Sequence, residues 1–281
     1  MSAVVFQQND LDQLTQHYPL SPARFSHALQ NHPLLSLDAL ANAALQLRPQ
    51  DVERRVSEGH VGRDFAIIER HALPIDQHIR AIETDNAWIM LARIEQLPAY
   101  RALIVEILAQ IGSTLTDRTG SIDEPVGFIF ISVRGSTTPF HFDPEYNLFF
   151  QISGHKSFTT FPPAPPLITD KVNEEYHYAG NNMLHWQDDF ERLGTRHALK
   201  PGCALFVPYK APHYVEVGDA LSLSLSITWK SLWAQQQEHG HRFNARMRKW
   251  GLSPRSLPPW PASAAAKAMG ARVLGKAGLK A

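Results

Sequence analysis

The sequence predicts an α+β chain whose core is mainly β, with a helical region before that core and a helix after it. Three observations point there. Residues 127–161 and 199–230 are two blocks of short runs rich in β-branched and aromatic residues, broken by turn residues at intervals of roughly ten positions, as in a sandwich or barrel. Residues 221–227 alternate strictly between apolar and polar, the pattern of a half-buried strand. Residues 1–60 and the stretch after Ser231 instead carry helix formers with apolar side chains three and four apart. The expected organisation is a helical and mixed region over 1–120 that braces the core, the β core over 121–232 with an insertion at 162–199, and a helical extension with a basic tail over 233–281.

The elements follow in order. Leu11, Leu14 and Tyr18 recur at helical spacing, and Ser21-Pro22 reads as an N-cap with proline at the first helical position. Residues 37–47 predict a helix that Pro49 ends. His17, His27, His32 and His60 have no clustered spacing and are expected as surface or capping groups. Residues 65–68 are a short strand candidate, Ile75, Ile79 and Ile82 share one helical face, and 87–94 read as a buried strand. From Pro98, a stripe of Leu103, Ile104, Ile107, Leu108 and Ile111 predicts a core helix with Gly112 as its stop. Strands are expected at 128–133, after the turn at 134–136, at 147–152 and at 156–161. The prolines from 162 to 166 then open a polar excursion to about residue 198, of the length that lids and binding loops have. Strands resume at 204–208 and 214–217 and end with 221–227, after which the chain turns helical and basic toward an Ala/Lys/Gly-rich, solvated tail.

Composition excludes several function classes. In 281 residues, 44% are hydrophobic and 19% charged, as in an ordinary globular protein. The formal net charge is zero, so no global field favours nucleic acid or an anionic membrane, and direct nucleic-acid binding is not expected. No apolar run reaches the ~20 residues of a membrane span. Cys203 is the only cysteine, which removes an internal disulfide and any cysteine-rich zinc module. The first residues lack a basic, apolar leader pattern, and the expected setting is cytoplasmic and reducing.

Chemistry concentrates at Thr138-Pro139-Phe140-His141-Phe142-Asp143. Residues i and i+2 of an extended strand share a face, so His141 and Asp143 converge. His213, between the strand that closes at Pro208 and the next one, is the natural third member. Two histidines and a carboxylate form the facial triad that holds Fe(II) with positions left open, and the same set suits Mn(II) or Zn(II). His155, His177, His185 and His197 compete as ligands, without a partner at metal-motif spacing. Lys156, on a strand of a mostly apolar barrel, calls for an anion, since an unpaired buried charge is costly; the bland alternative is a lysine that snorkels to solvent. A dicarboxylic acid would supply that anion, and Thr138 and Asn147 could bond to the same acid. Trp88, Tyr146, Phe149, Tyr176, Tyr178, Trp186 and Tyr209 are the candidate pocket walls.

The run from Thr138 to Asp143, with Asn147, Gln151, Gly154 and Lys156 at their offsets, resembles the JmjC and cupin-like branch of the Fe(II)/2-oxoglutarate oxygenases. The run looks like that of the protein hydroxylases of the factor-inhibiting-HIF type, and the whole chain is similar to bacterial cupin-like proteins. Residues 201–208, His213 five residues after Pro208, and the strand through Trp229 match the second half of that pattern, so the resemblance spans about 125–232. It implies a double-stranded β-helix, a jelly roll of cupin type. It further implies iron on His141, Asp143 and His213, and 2-oxoglutarate held by Lys156, Thr138 and Asn147. The implied activity is hydroxylation of a protein side chain or a small molecule, coupled to decarboxylation of 2-oxoglutarate to succinate. Thr228 stands where the asparaginyl hydroxylases carry asparagine. Two other readings remain: a non-enzymatic, metabolite-sensing cupin-like regulator, and a metal-dependent cupin enzyme that does not use 2-oxoglutarate. The C-terminal helix offers a surface for a homodimer.

Overall fold

The computed structural model of the chain describes residues 4–56, 61–62, 67–68, 71–84, 87–123 and 125–276. The N-terminal region comprises α1 (Gln8–His17), β1 (Ala23–Ser26), α2 (Leu37–Ala44), β2 (Val52–Val56), α3 (Ile75–Arg80), β3 (Ala87–Ala92), α4 (Pro98–Ala109) and α5 (Gly112–Thr119). The core follows as β4 (Val126–Ser132), β5 (Thr137–His141), β6 (Tyr146–Ser153) and β7 (Lys156–Thr160), then α6 (Asp170–Ala179) and β8 (Thr195–Leu199). β9 (Cys203–Val207), β10 (His213–Val217) and β11 (Ser222–Trp229) complete the strands, and α7 (Leu232–Lys249) and α8 (Ala265–Lys276) close the chain.

Among the described residues the strands form two sheets, ordered β1-β9-β6-β11-β4-β3-β2 and β5-β10-β7-β8. All the pairings are antiparallel. Strands β4 to β11 contribute four to each sheet, which is the double-stranded β-helix expected from the sequence. β1 extends the larger sheet on one side, and β3 and β2 extend it on the other.

Period-two geometry sorts the larger sheet into two chemically distinct faces. Leu223, Leu225, Ile227 and Trp229 of β11 join Ile129, Ile131, Leu148, Phe150 and Phe206 in a core shared with Leu14, Leu40, Ile104 and Ile107 of the N-terminal helices. The opposite face of β11 carries Ser222, Ser224, Ser226 and Thr228, and all four are buried. The strand is therefore not half-exposed as its alternation suggested: its polar face turns inward, between the sheets. There the apolar part is small, built on Phe149, Phe158, Leu205 and Val215.

Other expectations also change. Ser21-Pro22 leads into β1, whose Ala23 and Phe25 are buried while Arg24 and Ser26 are exposed. Gly112 does not stop α4, which ends at Ala109 with Gln110 as its C-cap; it opens α5. The 162–199 stretch is not a loop throughout, because it holds α6, capped by Thr169, and β8, which pairs with β7. The tail is not wholly frayed: α8 packs on α7, with Ala264 and Ala268 buried and Lys267 Nζ donating to Asn244 Oδ1. Of the 65–68 candidate, Phe65 and Ala66 lie outside the described residues, and Ile67 makes a single bridge to Arg55. His27 is buried and bonded to the Gln151 carbonyl, not a surface group, and His32 does cap a short helix. His60 lies outside the described residues.

The β6–β7 turn sets the position of Lys156. Gly154 there has φ +68°, and a Cβ on it would stand 2.2 Å from the Leu221 carbonyl oxygen. Gly154→Ala should therefore destabilise the protein by about 2 kcal/mol or more, read from urea unfolding.

Candidate metal centre

His141 ends β5, Asp143 follows two residues beyond it, and His213 begins β10 directly opposite His141. The β5–β10 pairing slips by one residue: His213 faces His141, but Val215 faces Thr138. This bulge on β5 breaks strict alternation, so Thr138 and His141 both turn into one cavity while Phe140 packs on the other side against Phe161 and Trp186. The ligand atoms of His141, Asp143 and His213 all lie within 4.8 Å of one another, and this is the candidate metal-holding trio found among the described residues.

The local bonds prepare the trio for a cation. His141 Nδ1 bonds to the Pro139 carbonyl at 2.7 Å and His213 Nδ1 to that of Ala211 at 3.0 Å. A carbonyl only accepts, so each Nδ1 carries the proton and Nε2 is the lone-pair nitrogen. The two Nε2 atoms each stand 3.7 Å from an Asp143 oxygen. That is too long for a hydrogen bond, yet it is near the separation of atoms that share one ion about 2.1 Å from each. Burial, with the adjacent His141, pulls His213 down to about 4, so it is neutral as a ligand must be. The donor set thus fits a divalent metal of the Fe(II), Mn(II) or Zn(II) kind.

The other sequence-selected residues meet here too. Thr138, Asn147 and Lys156 line the same cavity of about 280 Å³ as the trio. Lys156 is only 5% exposed, so it does not snorkel. Its ammonium donates to Ser224 Oγ at 2.9 Å and lies 5.4 Å from the centre of the Phe149 ring. Ser224 Oγ donates in turn to Gln151 Oε1, and Gln151 Nε2 donates to Ser222 Oγ and to the Ser153 carbonyl. Ser226 Oγ likewise donates to Asn147 Oδ1 at 2.7 Å. No carboxylate lies within ion-pair distance of Lys156 among the described residues, and burial draws the lysine down to about 7.

Several wall residues carry no local sequence signal. Arg55 and Met90 come from the N-terminal strands, and Glu145 lines the cavity together with Thr228, the position that the family resemblance singles out. Burial and the charge of Asp143 raise the Glu145 carboxyl above its usual range. Asn182, from the insertion, donates to the Phe142 carbonyl at 2.9 Å and reaches the cavity. Of the aromatic wall candidates, Trp88 and Phe149 line it. Tyr146 lies in the helix-side core, Tyr176 and Trp186 pack behind the centre on Phe142 and Phe140, Tyr178 is exposed, and Tyr209 lines another cavity. Of the competing histidines, His155 and His185 are exposed, His197 bonds to Thr160, and His177 is buried near Lys210.

No protein-family model matches the chain. It is 33% identical over 114 residues to human HSPB1-associated protein 1, a match that covers 37% of this chain and 23% of that protein. The chain thus spans about a quarter of the length of this curated relative. Its fold matches that of E. coli ycfD, with a TM-score of 0.56 and 16% identity over 99% of this chain and 69% of the other. It also matches E. coli YcfD, a ribosomal oxygenase, in complex with cobalt and 2-oxoglutarate, with a TM-score of 0.50 and 18% identity over 98% and 67% of the two chains. At these identities the structural likeness is one of fold, and it agrees with the jelly roll described above.

Asp143→Ala should weaken binding of Co(II), an air-stable probe, by about 100-fold or more in a calorimetric titration, with the unfolding midpoint of the metal-free protein little changed.

Proposed function

We propose that this chain is an Fe(II)- and 2-oxoglutarate-dependent oxygenase that hydroxylates a protein side chain or a small molecule. One juxtaposition carries the reading: a His-Asp-His trio and a buried lysine without an acidic partner share one cavity. The resemblance of residues 125–232 to the JmjC and cupin-like oxygenases, and the 2-oxoglutarate complex of the structural neighbour YcfD, support it.

His141, Asp143 and His213 would hold the metal, and Lys156, Thr138 and Asn147 would hold the co-substrate. Bound Fe(II) would couple decarboxylation of 2-oxoglutarate to oxidation of a substrate C–H bond. The chain's part is to position and to protect. Lys156 receives the distal carboxylate: its ammonium is fixed by Ser224, and the flanking Phe130 and Phe149 rings exclude water from that end of the cavity. Ser226 anchors Asn147 through its oxygen, which leaves the amide hydrogens to donate to the acid. The Pro139 and Ala211 carbonyls keep both imidazoles in the ligand tautomer. Trp88, Met90 and Phe128 line the rest of the cavity, with Arg55 and Glu145 as charged groups of that wall.

A metal-dependent cupin that does not use 2-oxoglutarate would have no need of this lysine, and a sensing module without chemistry would have no need of an open metal site. No helix among the described residues is long and apolar enough to cross a membrane. A cytoplasmic, reducing setting would keep iron ferrous, and the helix that follows Ser231, α7, is the element through which a homodimer would form.

Incubation with Fe(II), ascorbate and 2-oxoglutarate should yield succinate above a no-enzyme control, at a basal rate that a true substrate raises. No succinate under any condition would contradict the proposal. Lys156→Ala should raise the concentration of 2-oxoglutarate required by about 10- to 100-fold, with Co(II) affinity little altered. The parent's dependence on pH follows from the same residue. Its lysine is mostly uncharged above about 7, so binding of the dianionic acid must be accompanied by uptake of one proton from solvent onto the lysine. Affinity for 2-oxoglutarate should fall about tenfold per pH unit above that value, as calorimetry in buffers of differing ionisation enthalpy would report.

A further inference from the structure

A second cavity, of about 380 Å³, opens between the 163–170 segment, α7 and the 257–260 loop. Its apolar wall includes Pro163, Ile168, Leu257 and Trp260, and its floor is Tyr209 and Lys210. Lys210 is 4% exposed. Its ammonium donates only to neutral groups, Asn173 Oδ1 and His177 Nε2, and lies 5.1 Å from the Tyr209 ring centre. Among the described residues no carboxylate stands within ion-pair distance of it. Glu238, whose charge it feels, is already paired with Lys230 and Arg242. Two further buried nitrogens in the wall, His241 Nδ1 and Trp260 Nε1, have no hydrogen-bond partner. A concave apolar pocket over a buried lysine that no carboxylate neutralises is the form of a site for a small anion.

The apolar wall and the carboxylate of Asp170 at the rim select among anions, since both oppose a second negative group. The floor then joins this cavity to the metal centre. The Lys210 backbone N–H donates to the Asp143 carbonyl at 3.1 Å, and the Ala211 carbonyl accepts from His213 Nδ1. One three-residue segment thus lines the second cavity with its side chains and holds two residues of the trio with its backbone.

We propose that this cavity is a second ligand site, for a small monocarboxylic acid with an apolar body, and that its occupancy is linked to the metal centre through residues 209–211. The linkage, but not the binding, rests on the metal reading of the trio. An acid bound there neutralises Lys210 and draws on the segment that aims Asp143 and His213. Metal affinity and acid affinity then change each other by the same factor.

Benzoate is the probe and benzamide its neutral isostere, titrated calorimetrically into the full chain in EDTA. The parent should bind one equivalent of benzoate, and bind benzamide about tenfold more weakly or worse. Lys210→Met keeps the side chain's length and adds no backbone strain, and Ala164→Trp blocks the rim from an exposed position. Each should weaken benzoate by about tenfold or more, whereas Lys156→Met should leave it unchanged. Absence of binding by the parent at millimolar benzoate, equal binding by the Lys210 and Ala164 variants, or loss in the Lys156 variant would overturn the site. Linkage is read in the Lys156→Met background, where saturating benzoate should shift Co(II) affinity about fivefold or more. That shift should vanish on adding Lys210→Met. An unshifted Co(II) affinity, or a shift that survives the second substitution, would overturn the linkage.

Discussion

The burial of a lysine between two sheets is the constraint around which this protein is built. An ammonium among phenylalanine rings is expensive unless it is hydrogen-bonded and offered an anion. The chain meets the first condition through Ser224, Gln151 and Ser222, which link donors and acceptors in series from β7 to β11, across to β6 and back to β11. It leaves the second unmet. The serine face of β11, the turn at Gly154 that starts β7 in place, and the small apolar core between the sheets all follow from that arrangement. A jelly roll filled with leucine would be a simpler way to stabilise two sheets; this one keeps a polar, acid-sized space instead.

Stability and function are divided between the faces of one sheet. The helices α1, α2 and α4 cover the outer face with a large aliphatic and aromatic core, which releases the inner face from packing duty. The inner face can then carry Asn147 and the serines of β11 opposite Lys156, His141 and His213 of the second sheet. The members of the trio are held mostly by backbone: two carbonyls fix the imidazoles, and one bulge on β5 brings Thr138 and His141 to the same side. Such positioning depends on strand register, so it tolerates little slippage.

The sequence showed the trio because its members sit in a short spaced motif and at a strand start, and it showed the strands of 126–160 and 203–229 because β-branched runs and turns alternate there. It misled where alternation was taken for exposure: the serines of β11 reveal that the two faces differ, not which of them is wet. β1 was missed because Ala23–Ser26 is short and is a strand only by virtue of β9, nearly 180 residues on. α8 was missed because its alanines and glycines look like a solvated tail until α7 supplies a surface to bury them. Arg55, Glu145 and Asn182 reach the cavity from separate elements, and no local pattern marks them. The second cavity was invisible for the same reason: Lys210 and Asn173 meet only in three dimensions.

The most direct test of the central claim, that the trio and Lys156 form one site for iron and a 2-oxo acid, is an anaerobic titration of the protein with Fe(II) and then 2-oxoglutarate. A weak visible charge-transfer band that grows to one equivalent of the acid, and only in the presence of the metal, is the result expected. Fe(II) binding with a spectrum that 2-oxoglutarate leaves unchanged would contradict it.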